Sequence, residues 1–246
     1  MGQQVYKELF DVMKNRRGPY TGIEVPEFYP MVEELFTPQE AEVNNVMPRK
    51  AVTAAEIAAE MDRDENEIKA ILETMADKGL CKTYRHNDVR FYQGEPFMPG
   101  IFEYQFMSGG TSDRDRKIAG LIKAYKKAFN AAGGEVKMTF PITRVIPVDR
   151  TIEAGNTVHT YDQVSTYIDK HETIGVGTCY CRQASKLVGE DTHDMPMEVC
   201  MWFGKMAEYA IERLGAQEMT KAEARKVLDT AEEAGLVHMS RNTTED

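Results

Sequence analysis

The stretch Thr53–Tyr92, TAAEIAAEMDRDENEIKAILETMADKGLCKTYRHNDVRFY, decides the fold of the first half of the chain. Thr53 and Glu56 form the Thr-x-x-Glu pattern of a capping box, which predicts the start of a helix. A second helix is predicted from apolar residues at helical spacing from Ile68 onward, and Gly79 is typical of its end. Two short helices in succession are therefore expected here.

Two strands are predicted to follow these helices, over residues 80–84 and 89–92, with a turn at His86-Asn87-Asp88. Helix, helix and two-stranded hairpin together predict a winged-helix domain. The turn that opens its second helix, 62–67, carries four carboxylates against one arginine. Phosphates would be repelled by this charge, so the segment is expected to dock to protein or to the rest of this chain, and DNA binding is not expected.

The whole chain is predicted to be an α+β protein, in which an N-terminal helical and winged-helix part packs on a small α/β metal-binding domain with C-terminal helices. The capping box at Thr220 and Glu223 predicts one of these late helices. We expect an N-terminal helical segment, a winged-helix domain, an α/β connecting module and a cysteine-containing metal-binding helical domain, with boundaries at 1–50, 51–100, 101–172 and 173–246.

Within the connecting module, Asp113 is predicted to cap a long helix. The alternation of Val136, Met138 and Phe140 predicts a strand, and Asp162 is predicted to cap a further helix.

The charge and composition exclude several function classes. A formal charge of −10 and a pI near 5.1 disfavour a general nucleic-acid binder or a protein that binds anionic membranes. No apolar stretch approaches the roughly 20 residues that span a bilayer. The four cysteines, with no secretion signal ahead of them, predict a cytoplasmic protein with thiols.

The second decisive segment holds Cys179 and Cys181, half of the four cysteines within three residues. The preceding run 173–178 is typical of a short buried strand. Because alternate residues of a strand project to the same face, the two sulfurs are predicted to converge on one centre. This geometry favours a metal site.

A third thiol, Cys200, is expected near the start of a helix, where backbone N–H groups favour a thiolate. Three soft ligands suit an iron–sulfur cluster or zinc. Cys81 has no such neighbours and is interpreted as a small buried apolar residue.

The fourth ligand is predicted to be His193, in the loop just before Cys200. Asp191, Asp194 and water remain open as alternatives. Arg182, directly after the cysteine pair, is a candidate for tuning the potential of a thiolate-bound cluster through its positive charge.

Several segments together resemble a group of microbial 4Fe-4S-binding proteins that carry an N-terminal winged-helix region and a C-x-C-R segment. The resemblance rests on residues 95–103, 144–148, 179–182, 197–200 and 231–238. It implies electron transfer, with Cys179, Cys181 and Cys200 as cluster ligands. Where members of this group commonly have a further cysteine, this chain has Thr192 or His193, and no ferredoxin-like, cysteine-rich segment comes before Asp246. We therefore expect either that the cluster is ligated differently here or that the tail has been lost or omitted.

The sequence therefore predicts an iron–sulfur electron-transfer or redox accessory protein that docks to a partner oxidoreductase, with a 4Fe-4S cluster expected and homo-oligomers possible. One rival interpretation is a metal- or redox-sensing regulator, which a basic patch at Arg16, Arg17, Arg49 and Lys50 would favour. A structural zinc protein is a second rival, and an enzyme with an open cluster position is a third. No phosphate loop, dinucleotide fingerprint or nucleophilic triad is evident, so an electron carrier is favoured over an enzyme.

Overall fold

The structure is a computed structural model, and it describes residues 2–16, 22–134, 143–146, 164–190 and 192–241. The chain divides into two compact units. The first unit comprises Met1–Lys137 and Tyr180–Thr192, and the second comprises Met138–Cys179 and His193–Asp246. The predicted mixture of helices with small antiparallel sheets is confirmed.

The first unit begins with three helices, which are α1 (Gly2–Asn15), α2 (Phe28–Leu35) and α3 (Pro38–Val46). Thr37 caps α3 through a complete capping box with Glu40, and Pro38 occupies the first turn, where its missing N–H costs nothing.

The stretch that follows folds into α4 (Ala54–Met61), α5 (Glu65–Asp77), β1 (Cys81–His86) and β2 (Val89–Gly94). The predicted capping box at Thr53 and Glu56 is confirmed. Gly79 follows α5 with φ 68°, as expected for a helix stop. β1 and β2 pair antiparallel, and a bridge between Val52 and Tyr92 adds a third backbone segment beside the hairpin.

The remainder of the first unit contains an irregular turn at Phe97–Ile101, followed by α6 (Phe102–Tyr104), α7 (Asp113–Ala131) and α9 (Tyr180–Leu187). One hydrophobic core runs from α1 to α7. It includes Cys81, which is fully buried, so its interpretation as a packing residue is confirmed. The residues of the predicted N-terminal segment and of the hairpin region thus share a single core.

The cap of α7 differs from the prediction. Ser112, not Asp113, is the N-cap, and it forms a capping box with Asp115. The Ser112 hydroxyl accepts from the N–H of Asp115, and the Asp115 carboxylate accepts from the N–H of Ser112. An N-cap at Asp113 would have Arg116 three residues later, and an arginine side chain cannot accept the second bond. The predicted strand at Val136, Met138 and Phe140 and the predicted cap at Asp162 lie outside the described residues.

The second unit carries two small antiparallel sheets. Its elements are β3 (Thr143–Val145), α8 (Val164–Lys170), β4 (Ile174–Thr178), β5 (Glu198–Phe203), α10 (Gly204–Arg213), β6 (Gln217–Glu218), α11 (Lys221–Glu233) and β7 (Met239–Arg241). β4 lies between β5 and β6 in one sheet, and β3 pairs with β7 in the other. The predicted capping box at Thr220 and Glu223 is confirmed at the start of α11.

The two faces of β4 meet different helices. Ile174 packs into a small core with Ile168 of α8 and Ala224 of α11. On the opposite face, a Cβ at Gly175 would lie 3.4 Å from Ile211 and 3.6 Å from Ala207 of α10. The absence of a side chain at Gly175 therefore lets α10 pack closely on the sheet.

A buried arginine joins distant parts of the first unit. The guanidinium of Arg16, at the end of α1, donates to the side chain and carbonyl of Asn44 (2.8 and 2.5 Å) and to the carbonyls of Met47 and Glu95 (both 3.2 Å). Burial lowers the pKa of Arg16 to about 10, against the opposing charge of Glu95. These bonds connect the ends of α1, α3 and β2.

Gly94→Ala should destabilise the protein, because a Cβ at Gly94 would lie 2.7 Å from Cζ of the Arg16 guanidinium. Displacing this buried, hydrogen-bonded side chain should cost about 1–3 kcal/mol of unfolding free energy in a denaturant titration. Gly120→Ala in α7 is the matched control, because a Cβ there would meet nothing within 4 Å. Equal effects of the two substitutions would contradict the role given to Arg16.

Candidate functional site

Cys179 lies at the point where strand becomes helix. β4 ends at Thr178, and α9 begins at Tyr180. Cys179 itself is buried, at 8% exposure, and its N–H donates to the carbonyl of Met197 (2.7 Å), which continues the β4–β5 pairing by one residue. The predicted strand therefore does not extend through Cys181, which occupies the first turn of α9. The expectation that the Cys179 and Cys181 sulfurs share one strand face is wrong.

Cys200 also differs from its predicted setting. It lies inside β5, and the helix expected near it begins only at Gly204. The apolar run from Val199 to Phe203 forms a strand and not the first turn of a helix, because it pairs with β4 in the sheet. The helix N-terminus is therefore not available to stabilise a Cys200 thiolate.

The β4–β5 register brings Cys179 and Cys200 into neighbouring positions within the second unit. Cys200 is paired directly with Gly177, two residues before Cys179. Paired residues and alternate residues share a face, so both cysteines are directed to the same side of the sheet as Gly177. Diagonal neighbours in a regular sheet have Cα atoms about 7–8 Å apart. Here the register shifts between Gly177 and Thr178, so the pairing places the two cysteines near one another without fixing that distance.

Gly177 leaves the position between these thiols without a side chain. A bulge at Gly177 and Thr178 shifts the register, so that Thr178 pairs with Glu198, and its hydroxyl donates to the Glu198 carboxylate (2.7 Å). Trp202 is paired with Gly175 and lies two residues beyond Cys200 on the same face of β5. Gly177, which has no side chain, thus lies between the strand positions of Cys179 and Gly175, and Trp202 lies opposite Gly175.

Cys181 belongs to the first unit and has a separate environment there. Its thiol is exposed and is hydrogen-bonded to the hydroxyl of Tyr180, which is also hydrogen-bonded to Glu103. Burial, the negative charge of Glu103 and these hydrogen bonds raise the pKa of Tyr180 well above its ordinary value. Glu103 is itself buried and accepts from the N–H of Gly100 (2.6 Å). This chain of polar groups holds Tyr180 as a neutral hydroxyl.

The two remaining predicted site residues are near the surface. Arg182 follows Cys181 in α9 and is half-buried. His193 is exposed in the second unit, and His193 and Asp194 both have positive φ values, 54° and 50°. Two consecutive left-handed residues make a tight turn before β5. Asp191 lies outside the described residues.

The residues fit a metal centre in part. Thiolates such as those of Cys179 and Cys200 are soft ligands, which suit iron or zinc. In the part of the chain that the structure describes, however, no three histidine, cysteine, aspartate or glutamate side chains are grouped closely enough to hold a metal ion. Two thiols are fewer than the four ligands that an iron–sulfur cluster or a structural zinc ion usually takes.

The outer surface of α5 bears on the predicted docking role. The arginine of the acidic turn, Arg63, is hydrogen-bonded to Glu67 and lies 3.8 Å from Glu42. Arg90 of the hairpin lies 3.8 Å from Glu73. Carboxylates therefore accompany these cations, and the exposed turn from residue 62 to 67 keeps its negative charge.

Sequence reasoning missed the pairing of Cys200 with Gly177 and the contact of Tyr180 with Glu103. The Gly-x-Gly-x-Cys spacing of residues 175–179 was visible, but the register opposite it was not. Nothing in the sequence indicated that Glu103, about eighty positions earlier, would lie beside Tyr180.

The comparisons with known proteins add no family. No family model matches the chain, and neither a curated protein nor a solved structure is significantly similar to it. Among the described residues, none of the helices combines the length and the apolar character that a bilayer crossing requires.

The four thiols should react in the order of their exposure. In the metal-free native protein, Cys181 should be modified first by a colorimetric thiol reagent, Cys200 more slowly, and the buried Cys179 and Cys81 only on unfolding. Cys181→Ser should remove the fast phase alone. A fast phase that persists in this variant would show that the strand cysteines are open to solvent.

Proposed function

We propose that the protein is an iron–sulfur redox accessory protein, in which Cys179 and Cys200 anchor the cluster and His193 is a candidate for a further ligand. Cys181 is proposed as a ligand on the resemblance to the C-x-C-R segment alone. The observation that carries the proposal is the β4–β5 register, which pairs Cys200 with Gly177, two residues before Cys179 on the same face of β4. The resemblance to microbial 4Fe-4S-binding proteins through the C-x-C-R segment supports the same choice of metal centre.

The chain's residues have distinct tasks in this proposal. Cys179 and Cys200 bind through thiolates on a paired backbone, which limits their movement. In the proposal, Trp202, two residues beyond Cys200 on β5, shields the thiols from water, and Arg182 offsets negative charge near Cys181. A bound cluster would supply one-electron transfer at a potential that depends on ligand charge and solvent exposure.

We further propose that residues 51–100 form a winged-helix module whose acidic α5 docks to a partner oxidoreductase. The succession of α4, α5 and the β1–β2 hairpin supports this description of the module. The charge of the turn 62–67 supports a protein partner over DNA.

The regulator hypothesis depends on a basic patch near the module. Arg16, which was expected in that patch, is buried and bonded to backbone carbonyls. Arg17 lies outside the described residues. The exposed cations Arg49 and Lys50 alone are a weak basis for phosphate contacts, so the accessory protein is the better-supported proposal.

Metal content is the direct test. After anaerobic reconstitution with iron and sulfide, the wild-type chain should retain both and absorb visible light. Cys179→Ser and Cys200→Ser should each lose most of the bound iron, because a thiolate anchor is removed. His193→Ala should lower iron content or change the potential if the imidazole is a ligand, and leave both unchanged if solvent or a carboxylate takes that place.

Cys81→Ala is the matched control, because this cysteine is buried in the core of the first unit, with its thiol 3.7 Å from the carbonyl of Leu72. It should keep the wild-type iron content. Equal iron loss in the control and in the strand variants would contradict the assignment. Colourless protein that binds zinc without sulfide would favour a structural zinc protein.

Duplex DNA should not bind tightly to the protein. In a fluorescence anisotropy titration at low salt, a labelled duplex should show no strong, salt-sensitive binding, because the exposed turn of α5 is acidic. Reversal of that charge by Asp62→Lys and Glu65→Lys should increase binding. Tight, salt-sensitive binding by the unaltered protein would show that another face supplies positive charge.

A further inference from the structure

Helix α7 is basic in an otherwise acidic chain. From Arg116 to Ala131 it contains five lysine or arginine residues and no aspartate or glutamate, whereas the whole protein carries a formal charge of −10. A concentration of one sign of charge on a single helix is uncommon in a merely solvated surface, where both signs are usually mixed.

The cations of α7 are divided between its flanks and its outer face. On the flanks, Lys117 pairs with Glu34 (2.5 Å), and Lys126 lies over the ring of Phe102, 5.6 Å from its centroid. The outer face carries Arg116, Lys123 and Lys127, which are all exposed. Their spacing of seven and four residues aligns them on one side of the helix, opposite the buried Ile122, Tyr125 and Phe129.

Gly120 lies in the middle of this outer face. A Cβ at this position would meet nothing within 4 Å, so packing against the described residues does not require a glycine. Glycine in a helix interior costs roughly 0.5–1 kcal/mol relative to alanine. Its presence is explained if another backbone approaches the helix closely at this point.

The existing partners of the outer cations are exchangeable. Lys123 contacts Glu190 (2.6 Å) and Arg116 contacts Asp113 (3.0 Å), and every side chain in these pairs is about half exposed or more. Ion pairs of this kind contribute little stability, since water and salt screen them. Carboxylates of a partner can replace Asp113 and Glu190 at small cost.

We propose that this outer face, defined by Arg116, Gly120, Lys123 and Lys127, docks an acidic segment of a protein partner. The cations extend along about 16 Å of the helix, which matches a few turns of a partner helix crossing at Gly120. A nucleic acid or an anionic membrane fits less well. The negative charge of either one extends beyond this face, where the acidic remainder of the chain would repel it. The proposal is independent of the metal centre.

The test uses the full-length, metal-free protein and a fluorescently labelled oligoglutamate peptide in an anisotropy titration. The peptide should bind with an affinity that falls as salt is added. The variant Arg116→Gln, Lys123→Gln, Lys127→Gln should bind the peptide about tenfold more weakly, since three exposed charge pairs are lost. Circular dichroism should show that the variant remains folded.

The matched control is Lys7→Gln, Lys14→Gln, Lys69→Gln, which changes the net charge equally at exposed positions on α1 and α5. It should retain nearly full affinity. Gly120→Leu keeps every charge and favours the helix, yet it should also weaken binding, because its side chain occupies the point of closest approach.

Three results would overturn the proposal. The first is absence of peptide binding, and the second is equal loss of affinity in the control and in the α7 variant. The third is tighter, α7-dependent binding of labelled duplex DNA or of phosphatidylserine vesicles, which would assign this face to another class of partner.

Discussion

The antiparallel register of β4 and β5 is the constraint on which the candidate site depends. It pairs Cys200 with Gly177 and continues through the hydrogen bond from Cys179 to Met197. A shift of one residue would turn one cysteine to the opposite face, since side chains alternate along a strand. Two glycines of β4 contribute to this arrangement in different ways. Gly175 lets α10 pack closely on the sheet, and Gly177 places no side chain opposite Cys200.

In the first unit, the corresponding constraint is the guanidinium of Arg16. A buried cation requires several acceptors, and four come from chain segments as distant as Asn44 and Glu95. The bonds fix where α3 ends and where the chain leaves β2. The irregular turn that follows leads to Glu103 beside Tyr180, so the environment of Cys181 rests on the same packed framework.

Charge is distributed unevenly within the first unit. The turn that opens α5 is acidic, whereas the outer face of α7 is basic. A net charge of −10 describes neither surface. The two proposed docking surfaces therefore differ in the sign of the charge that they would present to a partner.

Local patterns in the sequence were sufficient for many of the elements. The capping boxes at Thr53 and Thr220 start helices as expected, because the hydrogen bonds involved span only three residues. The stop at Gly79 and the hairpin after it are equally local. Cys81 was interpreted as a core residue because nothing near it could share a metal, and it is buried.

The cysteine geometry, by contrast, depended on tertiary structure. The sequence by itself determined which residues are soft ligands and that three of them lie between residues 179 and 200. Whether β4 continued through Cys181 or ended at Thr178, and whether Val199 to Phe203 became strand or helix, was decided by sheet pairing. Both conformations suit a short apolar run, and only the hydrogen bonds and burial offered by neighbouring segments distinguish them.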